Sequence, residues 1–324
     1  MDYEIRYFRS PDGASVAGAR GGDGPPLVIG PSFGSTIETD WAIYTAAFPN
    51  HELITWDRRG FGLSERGSPC ADAEPYLQDA QAVVDGFGPE TFRLVGTLMG
   101  AVEATWLAAN NPERATQLVL RVPSTGMADW AAIPGVAAGL AALEHDWEYF
   151  TESFAQFVLG WGEPGAPKFA AKFGAITTRD ELKAMFDAFI GLDLIPMYPR
   201  IRAAALIEHN PAYFFPQSMS RRVAGMIHDC QLSIYSGPRC SFMSDFSLAR
   251  QFLAGPGSRD APGLSGRQTM SREGEKRRLS AILIADIAGY TRLVEKDTDG
   301  TLAAWKSARD GDIEPQYSIM TANW

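Results

Sequence analysis

The chain has 324 residues, 45% of them hydrophobic and 21% charged, an ordinary balance for a globular protein with a core of the usual size. Its 29 Lys and Arg against 39 Asp and Glu leave a net charge of −10, which argues against broad attraction to nucleic acid. No apolar run is long enough to span a bilayer and Met1 to Ser10 is polar, so a cytoplasmic protein without a membrane partner is expected.

Tyr3 to Phe8 and Ser15 to Arg20 read as two short strands around the turn Ser10-Pro11-Asp12-Gly13. Pro26 to Gly30 is a short apolar run, the pattern of a buried strand. A short helix follows at Trp41 to Phe48, then a strand at Glu52 to Trp56. Tyr76 to Phe87 carries apolar residues at helical spacing. Phe92 to Gly96, Ala101 to Asn110 and Gln117 to Arg121 continue as strand, helix and strand. This alternation predicts an α/β fold with a parallel sheet covered on both faces.

From about residue 127 to 226 the pattern becomes helical and rich in Ala, Phe and Trp, as in Trp147, Phe150, Phe154 and Phe157. It reads as an insertion. Gln231 to Tyr235 offers one more strand, and Phe246 to Leu253 a helix, so the first domain spans 1–254. Residues 255–276 are a linker by composition, ending near the small basic cluster Lys276-Arg277-Arg278. Leu279 to Ala285 is apolar again, followed by helical patterns at Thr291 to Glu295 and Thr301 to Arg309.

The three cysteines, Cys70, Cys230 and Cys240, have no CxxC spacing and include an odd thiol. None of His51, His145, His209 and His228 forms an HxxxH or HExxH pair, so no metal or other cofactor is expected in this domain.

The most informative site is Gly96-Thr97-Leu98-Met99-Gly100, between a strand and a helix. A G-x-S-x-G turn at such a place exposes its middle residue in a strained conformation. Both glycines are present, but the middle residue is Leu98. Residues 26–121 resemble an α/β-hydrolase. Asp57-Arg58-Arg59-Gly60-Phe61-Gly62-Leu63-Ser64 matches the family's D-R-R-G-x-G-x-S loop, and Leu94 to Gly100 its L-V-G-x-S-M-G elbow with serine replaced. Asn111-Pro112-Glu113-Arg114 and Leu118-Val119-Leu120 match the next turn and strand. The resemblance implies a doubly wound sheet, with the insertion as a lid.

Leucine has no nucleophilic atom. The resemblance also implies an acid after a late strand and a histidine after a further one. The nearest match to the acid's T-G-D-R context is Ser236-Gly237-Pro238-Arg239, which puts Pro238 at the acid position. The last histidine, His228, precedes it, the wrong order for Ser…Asp…His. The oxyanion donors implied by the fold are backbone N–H groups of Met99 and of Ser32 or Phe33, which bind a carbonyl or anion without a serine. Ser32, Phe33, Leu98 and Met99 are thus the candidate ligand-binding residues.

Within a last segment, 277–324, residues 277–315 resemble the truncated start of a class III adenylyl cyclase domain, through Arg277-Arg278-Leu279, Ile284-Ala285-Asp286-Ile287-Ala288-Gly289-Tyr290-Thr291 and Gly300-Thr301-Leu302, and Gln316 to Trp324 do not continue the pattern. The resemblance implies a magnesium ligand at Asp286. One carboxylate cannot supply a two-metal site, so Asp286 reads as vestigial and no cyclase activity is expected.

The expectation is a catalytically impaired hydrolase-fold protein, a regulatory or binding domain for a small apolar or carbonyl-bearing ligand, from a hydrolase–cyclase fusion. An esterase using an unrecognised nucleophile, with Ser32, Thr97, Cys230 and His228 as candidates, or using water is the enzymatic alternative. Geometry favours Thr97 as a structural turn residue. A decayed or truncated gene product without activity is the third. A homodimer is left open.

Overall fold

The computed structural model describes residues 3–239, 241 and 245–255. The segment assigned to the cyclase-like resemblance, with Asp286, lies outside the described residues.

Eight strands form one sheet: β1 (Glu4–Arg9), β2 (Ser15–Gly21), β3 (Pro26–Gly30), β4 (Glu52–Trp56), β5 (Phe92–Thr97), β6 (Ala115–Arg121), β7 (Ala204–His209) and β8 (Cys230–Ile234). Their spatial order is β1-β2-β4-β3-β5-β6-β7-β8. β2 runs antiparallel to both of its neighbours, and every pair from β4 to β8 is parallel. The chain steps from β3 outward to β4, then returns to place β5 on the other side of β3. This reversal leaves a crevice beyond the carboxyl ends of β3 and β5, where doubly wound sheets bind ligands.

The sheet sorts its side chains by alternation. Val28, Leu94, Leu118 and Leu120 point to the face covered by α2 (Glu74–Phe87) and α3 (Met99–Asn110). Leu27, Ile29, Val95 and Val119 point to the face covered by α1 (Ile37–Ala47) and α10 (Ser247–Ala254). α1 begins four residues before the sequence pattern suggested, because Thr36 caps it. The Thr36 side chain accepts from the Thr39 N–H while the Thr39 hydroxyl receives the Thr36 N–H.

Between β6 and β7 lie α4 (Met127–Ala131), α5 (Pro134–His145), α6 (Trp147–Leu159), α7 (Ala166–Ile176) and α8 (Arg179–Phe189), then a short 3-10 turn at Tyr198–Arg200. The helical stretch therefore stops well before residue 226. β7 follows it, and α9 (Gln217–Ala224) joins β7 to β8. β7 was hidden in the sequence: Ala204 and Ala205 carry little strand preference, and Glu208 and His209 break an apolar run. Sheet context decides such a segment. No helix among the described residues is long and apolar enough to cross a membrane.

Candidate active-site crevice

Three glycines set the shape of the crevice. A Cβ on Gly96 would collide with the Gly100 carbonyl, and one on Gly100 with the Gly30 carbonyl. β3, β5 and the start of α3 therefore touch through backbone alone. The chain turns from β5 into α3 within one residue, and that residue is Leu98, at φ 54° and ψ −118°. A left-handed φ is uncommon for a residue with a side chain and marks stored strain. The turn is pinned by the Leu98 N–H, which donates to the Arg121 carbonyl at 3.1 Å. Leu98 is 4% exposed and belongs to the core.

Opposite the elbow, the loop after β3 (Pro31 to Ser35) is held by a buried cation. Arg58 forms a two-pronged pair with Glu103 of α3 at 2.6 and 2.7 Å, and both side chains are buried. The same guanidinium donates to the Ser32 carbonyl at 3.1 Å and to the Pro31 carbonyl. Burial pushes the Glu103 carboxyl up and Arg58 opposes it. Arg58 thus fixes the loop and the elbow helix relative to each other.

A cavity of about 60 Å³ lies in the crevice, with Ser32, Phe33, Thr97 and Leu98 in its wall. Met99 is fully buried and does not line it; as the first residue of α3, its N–H has no acceptor within the helix. Phe33 packs into an aromatic cluster from the inserted helices, with ring centroids 4.9 Å from Phe154, 5.2 Å from Phe173 and 5.5 Å from Phe186. Much of the space above Leu98 is therefore filled by side chains. About 10–15 Å³ holds one water position, so the cavity takes a molecule of roughly four to six non-hydrogen atoms.

At the carboxyl ends of β6 and β7 stands a second buried ion pair. Thr97, Arg121 and Glu208 lie in register across β5, β6 and β7. Arg121 Nε donates to Glu208 Oε2 at 2.8 Å, and the pair is at most 2% exposed. The guanidinium also lies 4.4 Å from the centre of the Phe246 ring and donates to the Asp245 carbonyl at 2.5 Å. Burial raises the Glu208 carboxyl and the Arg121 charge pulls it back.

Pro238, set against the family's acid in the sequence, follows β8, the last strand among the described residues. With β7 recognised, the late strand before it is β7, and the loop to compare with the acid position begins at Asn210. Residues 210–216 contain no carboxylate. Asn210 instead ties the two loops together, its amide donating to the carbonyls of Gly237 (3.0 Å) and Pro238 (3.2 Å). His209 ends β7 fully buried, its Nδ1 3.0 Å from Ser220 Oγ, and burial lowers its pKa.

Of the four alternative nucleophiles, Ser32 and Thr97 line the cavity. Cys230 begins β8 opposite Ala205, at the far end of the sheet from the elbow. Burial, with Asp229 beside it, pushes its thiol up to about 11. His228 is exposed at that same far end, just before β8. Among the described residues no group of His, Cys, Asp and Glu is arranged to hold a metal ion.

Residues 25–185 match the sequence model of the α/β-hydrolase fold family. Solved structures superpose over most of the chain. A hydrolase from Pseudomonas aeruginosa is 22% identical with a TM-score of 0.65, over 78% of this chain and 97% of its own. An esterase from Exiguobacterium antarcticum is 17% identical with a TM-score of 0.66, over 78% and 98%. An enol-lactonase from Burkholderia xenovorans is 16% identical with a TM-score of 0.65, over 77% and 98%. The chain carries an α/β-hydrolase fold domain.

Proposed function

We propose that this domain binds a small neutral, carbonyl-bearing ligand in the crevice beneath its helical lid and does not hydrolyse it. The observation that carries the reading is Leu98 in the nucleophile seat of an otherwise complete elbow. The surroundings agree with it. The loop after β7 lacks a carboxylate, no histidine follows β8 in the sequence, and the Arg121–Glu208 pair stands beside the elbow. In this reading the N–H of Phe33, in the cavity wall, holds the ligand's carbonyl oxygen, with Leu98 and the lid aromatics against its apolar part. The class of ligand follows the names of the relatives, among them an esterase and an enol-lactonase. A regulatory role, as a binding domain fused to a cyclase-like segment, is part of the same proposal.

The test uses the full chain. A serine-directed phosphonate probe and a short-chain nitrophenyl ester are expected to give neither labelling nor turnover, while a thermal-shift screen of small lactones and esters finds a stabilising ligand. Steady turnover by pure protein would sink the reading. It would favour an esterase acting through Ser32 or Thr97, which line the cavity. Absence of both turnover and binding would favour a decayed protein.

A further inference from the structure

Among the described residues lining the cavity, Asp40 and Lys172 are the two that carry charge. They are 132 positions apart in the sequence, Asp40 on α1 and Lys172 on α7, yet Lys172 Nζ lies 2.7 Å from Asp40 Oδ1. Both carboxylate oxygens of Asp40 are engaged, because the Ser35 hydroxyl donates to Oδ2. Ser35 Oγ in turn lies 3.4 Å from the buried Tyr44 hydroxyl. The pair is partly shielded, with side-chain exposures of 14% for Asp40 and 30% for Lys172. The remaining wall is apolar or hydroxyl-bearing, with Phe33, Leu98, Phe154 and Phe169 prominent.

We infer that Asp40 masks Lys172 and thereby makes this cavity select neutral ligands over carboxylic acids of the same size. The inference rests on the ligand-binding reading of the crevice and adds a specificity-determining pair to it. An ammonium alone at the rim of an apolar cavity attracts a carboxylate strongly, since few waters screen it. With its charge cancelled by a carboxylate at contact distance, the cavity has no net charge. An entering acid must then give up hydration without gaining a free cation, and it meets the Asp40 carboxylate as well. A lactone or ester gives up far less. The pair would thus let the domain tell an intact ester or lactone from the acid its hydrolysis releases.

The probes are γ-butyrolactone and butyrate, matched in size to the cavity, with dissociation constants measured by ligand-observed NMR on the full chain. Wild type is expected to favour the lactone by about tenfold or more. Asp40→Asn exposes the Lys172 charge and should reverse the preference toward butyrate. Lys172→Met exposes the Asp40 charge instead. It should keep the lactone, still reject butyrate and gain binding of propylammonium. The two variants remove opposite halves of the pair, so either one alone tests the mask if the other does not fold. A wild type that prefers butyrate overturns the inference. So does an Asp40→Asn protein with no gain in butyrate binding, or a Lys172→Met protein with no gain in propylammonium binding. If wild type binds neither probe and Asp40→Asn gains butyrate, the mask stands and the native ligand-binding reading falls.

Discussion

Restoring serine at the elbow tests both the packing and the chemistry of the crevice. Leu98→Ser removes an isobutyl group that is 4% exposed and packed in the larger core cluster. Buried Leu→Ala changes cost about 2.7–5.0 kcal/mol, depending on how far the site collapses. Here the new space opens onto a cavity that already exists, and serine can solvate its hydroxyl there, so the low end applies, about 2–3 kcal/mol. The strain of φ 54° is unchanged, because serine bears a Cβ as leucine does. For a domain of this size the loss corresponds to about 5–10 °C in Tm. Urea denaturation and a thermal scan measure it, and an ester-hydrolysis assay on the same sample reads the chemistry. The expected result is a destabilised protein with no turnover, since serine gains neither a base nor an acid. A variant that hydrolyses ester well above background would refute the reasoning, for a histidine and a carboxylate must then be in reach. A loss below about 1 kcal/mol would refute the packing argument.

Two further predictions concern the buried charges. Arg121→Met strands the Glu208 carboxylate in the core and should cost about 3–5 kcal/mol in urea denaturation, whereas Arg121→Met with Glu208→Leu should recover most of it. Burial pushes Asp57 from its ordinary 3.8 up to about 6, against the N–H groups of Leu63 and Ile37 that donate to it. The folded state therefore holds the proton more tightly than the unfolded chain, and stability falls as pH rises from about 4 to about 6, by about 3 kcal/mol. Asp57→Asn should flatten that part of the stability–pH curve, and a slope that survives the substitution would reassign it to another group.

Most of the sheet was legible because its strands are short apolar runs between turn residues, from Pro26-Leu27-Val28-Ile29-Gly30 to Gln117-Leu118-Val119-Leu120-Arg121. β7 was not, and its absence displaced two readings at once. Without β7 the sequence pattern extends the helical insertion to about residue 226 and sets Pro238, which follows β8, against an acid position that lies after β7. The cause is local. Two alanines, then Leu206 and Ile207, then Glu208 and His209 give no period, and only the register with β6 and the pairing of Glu208 to Arg121 show why these last residues can be buried. The elbow was fully legible, since its glycines and its leucine are adjacent in the chain. The aromatic contacts of Phe33 and the Asp40–Lys172 pair join elements far apart in sequence and have no local signature.

The glycine contacts at the elbow have a consequence for how such folds lose and gain chemistry. Gly30, Gly96 and Gly100 bring the backbones together without any help from the side chain at position 98. The seat is thus a socket whose form is independent of what is plugged into it. A leucine there is held in the same unusual backbone posture that a nucleophile requires. Chemistry at this position can be removed by a change of one residue while the receptor around it keeps its architecture.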